Sequence, residues 1–299
     1  MFEGLWVAMV TPLRDGRVDE PAVERLVDFL VAAAADGIVV AGSTGEGATL
    51  TAVERRRLYD QVREAAGGRC QLVAGTGTND TAVSIERTRE AQAAGYDGAM
   101  LVTPYYNKPT PAGQVAHFTA VADAVDLPVI LYNVPGRTGT NMLPETVARL
   151  AAHPRIVAVK EASGSLDQVS AIRAACDITV LCGDDSLTLP MLAVGARGVI
   201  SVVGNVAPRE MRELLVHFEA GRLGEAEAMH RRLLPLARGL FVESNPGPVK
   251  FLLSAWGMIA NELRLPLVPV EPASEKAILA AATAAGIALP AAARAGAPA

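Results

Sequence analysis

Between residues 5 and 202, short runs of β-branched and aliphatic residues alternate with longer, Ala-rich stretches of helical period. The runs are 5–10, 38–41, 71–74, 98–102, 129–133, 156–160, 179–182 and 198–202. They are apolar throughout rather than at every second position, the mark of strands covered on both faces and hence of a parallel sheet. The stretches between them, 21–35, 52–66, 81–94, 114–124, 144–152, 166–175 and 187–194, carry apolar residues at helical spacing, and Pro21 and Pro144 stand where a first turn accepts proline. Eight such units with short connections predict a closed (β/α)8 TIM barrel rather than an open doubly wound sheet. No Gly-x-Gly-x-x-Gly follows the first run, which argues against a dinucleotide site. Beyond residue 208 the pattern is helical only, at 210–220, 223–234, 248–256 and 275–285. The expected organisation is a barrel over 1–220, a C-terminal helical extension over 221–289 and a disordered Ala/Pro/Gly-rich tail over 290–299.

Composition removes several classes of function. A net charge of −5, with Lys and Arg scattered, offers no basic face for nucleic acid. Cys70, Cys176 and Cys182 are too few and too scattered for a disulfide framework or a zinc site. The histidines, at 117, 153, 217 and 230, show no metal-ligand spacing, and no phosphate-binding loop pattern is present, so neither metal nor cofactor is expected. No run approaches the roughly 18 apolar residues of a membrane helix, and the first residues lack a basic, then apolar, leader. A cytoplasmic chain without membrane contact is expected.

In a barrel of this kind chemistry sits at the C-terminal ends of the strands. After the second run comes Gly42-Ser43-Thr44-Gly45-Glu46-Gly47, either a helix-capping turn or a cradle of N–H groups and hydroxyls for a small carboxylate. Glu46 reads as a buried structural acceptor or as a base. The fourth run leads into Thr103-Pro104-Tyr105-Tyr106-Asn107-Lys108-Pro109. In extended chain its two tyrosines face opposite sides, so at most one enters a given pocket. The fifth run ends in Tyr132-Asn133-Val134-Pro135-Gly136-Arg137-Thr138-Gly139, a phenol at a strand tip below a guanidinium suited to a carboxylate. The sixth is Ile156-Val157-Ala158-Val159-Lys160-Glu161. Lysine occurs only at 108, 160, 250 and 276, and Lys160 alone ends an apolar strand. It reads as an amine nucleophile that forms a Schiff base with a ketone, or as the partner of Glu161 or another carboxylate in an ion pair. Trp6 and Trp256 read as packing residues, and Asp184-Asp185 as a helix cap.

Together, Gly42-Ser43-Thr44-Gly45-Glu46, Tyr132 to Gly139 and Val159-Lys160-Glu161-Ala162-Ser163-Gly164 resemble the dihydrodipicolinate synthase family of the pyruvate-dependent class I aldolase superfamily, which also includes N-acetylneuraminate lyase. The resemblance runs from Phe2 to about Ala285 and includes Leu181-Cys182-Gly183-Asp184-Asp185 and Phe241-Val242-Glu243-Ser244-Asn245-Pro246. It implies condensation of pyruvate with L-aspartate 4-semialdehyde to 4-hydroxy-tetrahydrodipicolinate, in the route to diaminopimelate and lysine. Lys160 would carry the Schiff base. Tyr132, Ser43 and Tyr106 would form the proton relay, with Tyr106 entering from a neighbouring subunit of a homotetramer. The N–H groups around Ser43 and Thr44 would hold the pyruvate carboxylate, Arg137 would hold that of the aldehyde, and the carbonyl of Ile200 would lie near the lysine. Ser43 stands where many synthases have Thr, and the hydroxyl is kept. Sialic acid and keto-deoxy sugar acid aldolases share the lysine and the tyrosine but lack the arginine of Pro-Gly-Arg-Thr-Gly. A non-catalytic keto-acid sensor, the reading from another class, has no use for a relay.

The resemblance also bears on regulation. Lysine-inhibited members bind lysine at a subunit interface through an Asn, an aromatic, a carboxylate and imidazoles. Asn79 and Tyr105 match the first two, but Val83 stands at the carboxylate position and Ala52 and Arg55 at the imidazole positions. A ligand ammonium there loses a counter-ion and meets the like charge of Arg55, so weak or absent inhibition is expected.

Overall fold

The computed structural model describes residues 2–288. Eight parallel strands close into a barrel: β1 (Gly4–Ala8), β2 (Gly37–Val40), β3 (Gln71–Gly75), β4 (Gly98–Val102), β5 (Val129–Asn133), β6 (Ile156–Glu161), β7 (Thr179–Cys182) and β8 (Gly198–Ser201). Each pairs with its neighbours in sequence, and β8 pairs back onto β1. Eight helices surround the barrel: α1 (Glu20–Ala32), α2 (Ala52–Ala66), α3 (Thr81–Ala93), α4 (Pro111–Asp123), α5 (Pro144–Ala151), α6 (Leu166–Ala175), α7 (Thr188–Ala193) and α8 (Pro208–Glu219). Three more, α9 (Leu223–Gly239), α10 (Gly247–Ala255) and α11 (Pro272–Ala284), form the C-terminal extension. The expected tail at 290–299 lies outside the described residues. No helix among the described residues is long and apolar enough to cross a membrane.

Alternation along the strands divides the core in two. Outward residues such as Leu5, Val7, Ile38, Val40, Leu131 and Val159 pack under the helices. Inward residues Trp6, Val39, Val73, Met100, Ile130 and Leu181 fill the barrel. Trp6 plugs its lower end against Phe2, and this fixes Gly37, where a Cβ would lie 2.1 Å from the indole ring.

Two local departures from the sequence reading have clear causes. Helix α9 continues past the expected stop at Pro235 to Gly239. Pro235 and Arg231, the residue whose carbonyl loses its helical donor, are both exposed, while Leu233, Leu236 and Ala237 are buried and hold the helix to the core. A small hairpin, Leu13–Arg14 with Arg17–Val18, was not foreseen, although Asp15-Gly16 is a strong two-residue turn signal and both residues have positive φ. The Glu262 carboxylate accepts from the N–H groups of Asp15 and Gly16, and Arg264 donates to the Gly16 carbonyl.

Arg264 also grips Glu54, the third residue of α2, whose carboxylate closes a capping box with Thr51. Hydrogen bonds from Arg264 and from the Thr51 cap hold the Glu54 carboxyl down from the usual 4.5 to about 2. A carboxyl with a lowered folded-state pKa contributes stability that is complete above about 4.5 and is lost as pH falls towards about 2. Glu54→Gln should therefore lower the melting temperature near neutrality and flatten its decline across that acid interval, as read by thermal unfolding at a series of pH values.

Candidate active site

Lys160 and Tyr132 point into the upper barrel from adjacent strands, and the register of β5 and β6 sets them directly opposite each other. Both are buried, and the Lys160 Nζ lies 4.3 Å from the centre of the Tyr132 ring. At the end of β7, Gly183 makes room for the lysine, since a Cβ there would stand 3.0 Å from the Lys160 Cε. Among the described residues Lys160 has no carboxylate within salt-bridge distance. The ion pair with Glu161 is excluded because consecutive strand residues face opposite sides. Glu161 points outward, where its carboxylate accepts from Asn133, Gln168 and the Ser163 N–H.

The loop after β2 folds tightly on itself. A Cβ at Gly47 would lie 1.9 Å from the Ala41 carbonyl oxygen, so only glycine fits. The Thr11 hydroxyl donates to the Gly45 carbonyl, while the N–H groups of Ser43 and Thr44 find no protein acceptor among the described residues. Two free donors on a bent loop suit a carboxylate. Ser43 is exposed and Thr44 is buried. Ser43, Tyr105 and Tyr132 share the wall of a cavity of about 110 Å³ with Gly77, Met100 and Arg87. Ile200 lies in the interior cluster with Tyr132.

The two loop tyrosines diverge, because the chain turns through a left-handed residue at Tyr106 rather than staying extended. Tyr105 lines the cavity, whereas Tyr106, at positive φ, is 88% exposed and stands away from Lys160. Arg137 is exposed on the helical turn Pro135–Thr138 and donates to the backbone carbonyl of Asn245 at 3.2 Å. The structure thus sets Lys160 against Tyr132 and Tyr132 on one cavity wall with Ser43, links Thr44 and Arg137 through Asn245, and leaves Tyr106 exposed.

Several residues of the site escaped the sequence reading. Asn245 joins two of its parts: its Nδ2 donates to the Thr44 hydroxyl at 2.9 Å, its backbone holds Arg137, and its buried Oδ1 has no partner. Lys250 is completely buried in α10 and donates to Glu46 at 2.5 Å, while the Arg264 N–H donates to the other carboxylate oxygen. Glu46 is therefore a structural acceptor, and base catalysis by it is set aside. Its partner had a signal in the sequence, a lysine inside the apolar run Pro248-Val249-Lys250-Phe251-Leu252-Leu253. Asp184 caps the turn that follows β7, as expected, but Asp185 is buried against Ser201 and the N–H groups of Val202 and Val203. Burial pushes its carboxyl up from the ordinary value.

The surface near Asn79 and Tyr105 needs one correction. Arg55 does not present a free charge, because it is buried in a bidentate pair with Glu90, 2.7 Å at the closer approach. Glu90 also holds Arg56. The uncompensated cation there is Arg87, which has no carboxylate partner among the described residues and whose pKa burial and Arg55 push down. A wide concavity of about 1000 Å³ lies at the opposite rim beside Asp36, Arg63, Arg69, Asp97 and Arg212, and holds none of the candidate residues.

Residues 1–285 match the model of the dihydrodipicolinate synthetase family. The 4-hydroxy-tetrahydrodipicolinate synthases of Pelobacter propionicus and Geotalea daltonii are 50% and 51% identical to the chain, covering 94% and 93% of it and 97% of each relative. Crystal structures of dihydrodipicolinate synthases superpose closely. That from Aquifex aeolicus has a TM-score of 0.93 at 42% identity, covering 94% of this chain and 97% of its own. That from Thermotoga maritima has a TM-score of 0.94 at 40% identity, covering 96% and 99%.

Removing Lys250 leaves the buried Glu46 carboxylate without a salt-bridge partner among the described residues. Lys250→Met should cost about 3–5 kcal/mol of stability, and adding Glu46→Gln should recover part of it, because an amide still accepts from Arg264. Denaturant unfolding of the two variants beside the parent checks both expectations.

Proposed function

The chain belongs to the dihydrodipicolinate synthetase family, and we propose that it condenses pyruvate with L-aspartate 4-semialdehyde through a Schiff base on Lys160. The observation that carries this reading is a buried lysine with no carboxylate partner, stacked on a phenol at the top of a closed barrel. The neutral amine adds to the pyruvate ketone, and loss of water from the carbinolamine leaves an iminium. Loss of a methyl proton gives the enamine, whose terminal carbon attacks the aldehyde. Each step moves a proton within a few ångströms of the same nitrogen, which suits a phenol such as Tyr132. Ser43 passes protons onward from Tyr132, and Tyr106 of a neighbouring subunit completes the chain to solvent. The outward presentation of Tyr106 supports that arrangement, and the assembly we infer is a homotetramer, a dimer of dimers.

The two carboxylates take separate sites. The free N–H groups of Ser43 and Thr44 receive that of pyruvate, and the Ile200 carbonyl faces the lysine side of the same substrate. Arg137, held by Asn245, receives that of the aldehyde. The same arginine favours the aldehyde over a sugar acid. The reaction needs no metal or organic cofactor, since the lysine itself supplies the electron sink. A biosynthetic role of this kind places the protein in the cytoplasm.

Borohydride added to the enzyme with pyruvate should reduce the iminium and fix the added mass on Lys160, while Lys160→Arg keeps its fold and loses turnover. In the same assay Arg137→Ala should raise the KM for the aldehyde by about tenfold or more and leave pyruvate trapping intact. A label on Lys108, Lys250 or Lys276 would reject the assignment.

Inhibition by L-lysine should be weak. The half-buried Val83 offers the ligand ammonium no counter-ion, and Arg87 adds a like charge. Two losses of about 1.4 kcal/mol each reduce binding roughly a hundredfold. Titration of activity with L-lysine checks this, and half-inhibition well below millimolar would contradict it.

A further inference from the structure

On the outer side of β5 and β6, directly behind Tyr132 and Lys160, the register pairs Asn133 with Glu161. Both are buried, and among the described residues no lysine, arginine or histidine lies within salt-bridge distance of this carboxylate. Its charge is held by neutral donors alone. The Asn133 Nδ2 reaches both carboxylate oxygens at 3.1 and 3.2 Å, the Gln168 Nε2 reaches one at 2.9 Å, and the Ser163 N–H reaches the other at 2.7 Å. Asn141 closes the ring, accepting from Asn133 at 2.7 Å and donating to Gln168 at 2.7 Å. The Asn133 Oδ1 accepts from the Met142 N–H at 2.9 Å. Asn133 and Gln168 must turn their NH2 groups to the carboxylate, because an ionised carboxylate only accepts. One anion therefore orients both amides and clasps the tip of β5 to the tip of β6.

We infer that Glu161 is a positioning residue that fixes the Lys160 amine against the Tyr132 phenol from behind the strands. The inference rests on the Schiff-base reading of Lys160. Glu161 cannot touch substrate, since its side chain leaves the opposite face of the strand. It acts through the backbone, where the Ala162 N–H donates to the Asn133 carbonyl at 2.9 Å and the Gly183 N–H to the Glu161 carbonyl at 2.8 Å. An amide at 161 brings an NH2 group against the donors of Asn133 and Gln168, so the tips must separate or the amides must turn. A displacement of the order of 1 Å between reacting groups can cost about a hundredfold in rate.

The test measures the rate of pyruvate trapping at Lys160, kcat, and both KM values for Glu161→Gln, Gln168→Ala and the double variant Glu161→Gln with Asn133→Asp. Glu161→Gln should slow trapping and kcat by about a hundredfold with each KM changed less than about threefold. Gln168→Ala, which keeps the anion and removes one donor, should slow both less, and it decides the matter if Glu161→Gln does not fold. The double variant moves the acceptor across the strand pair, lets the amides turn over, and should restore trapping to within about tenfold of the parent. Trapping within twofold of the parent in Glu161→Gln, or in Gln168→Ala where that variant decides, overturns the inference. So does a double variant no better than Glu161→Gln. Absence of any adduct in the parent enzyme instead overturns the Schiff-base reading itself.

Discussion

The register of β5 with β6 from Ile130–Ala158 upward, above an irregularity that leaves Val157 unpaired, is the constraint on which the rest of the site depends. A strand repeats every two residues, so one register assignment fixes two facing pairs at once. Tyr132 meets Lys160 inside the barrel, and Asn133 meets Glu161 outside it. A slip by one residue would send the lysine under the helices and the carboxylate into the interior. Apolar residues on both faces below, Leu131 and Val159 outside with Ile130 and Ala158 inside, give the wrong register nowhere to place its charges. Register is thus held by burial along the strand and by hydrogen bonding at its tip.

The C-terminal extension belongs to the site as much as the barrel does. Residues 245–264 reach the loop after β2 through Asn245 to Thr44, Lys250 to Glu46 and Arg264 to Glu46, and they hold Arg137 as well. A buried ion pair such as Lys250–Glu46 is weak evidence for net stability, because desolvating both charges offsets most of their attraction. Its effect lies in specificity of placement. An unpaired charge in that position is so costly that the loop has one low-energy seat, and the free N–H groups of Ser43 and Thr44 inherit that seat.

The barrel and its buried strand-end lysine were legible in the sequence because both rest on local pattern. Runs of four to six apolar residues set the strands, and a lysine closing one of them is anomalous wherever it occurs. The alternative reading, an ion pair with the adjacent Glu161, fails because a strand sets consecutive side chains on opposite faces. Lys250 passed unnoticed for a different reason. Its counter-ion lies 204 residues away, and a lysine in an apolar helix shows an anomaly without showing what resolves it. Arg55 looked like a free charge because Glu90, which neutralises it, sits on the next helix. Partners across the fold are what a single sequence conceals, and the contacts missed at Lys250 and Arg55 are of that kind.

The site also separates what is shared from what is particular. Lys160 and Tyr132 stand on strands inside a closed barrel, where any change in backbone spacing disturbs two neighbouring strands and the core below. Arg137 and Tyr106 stand on exposed loops, where substitution disturbs little beyond the loop itself. On the proposed reading the reacting nitrogen and its nearest proton carrier are the rigid pair, and only the far end of the relay, at Tyr106, rests on a loop. On the proposed reading, choice of the second substrate falls to the Arg137 guanidinium. That guanidinium keeps its aim through the Asn245 carbonyl of the extension rather than through any strand. If Arg137 receives the aldehyde as proposed, a change of acceptor falls on a turn and its backbone tether, away from the Lys160–Tyr132 pair.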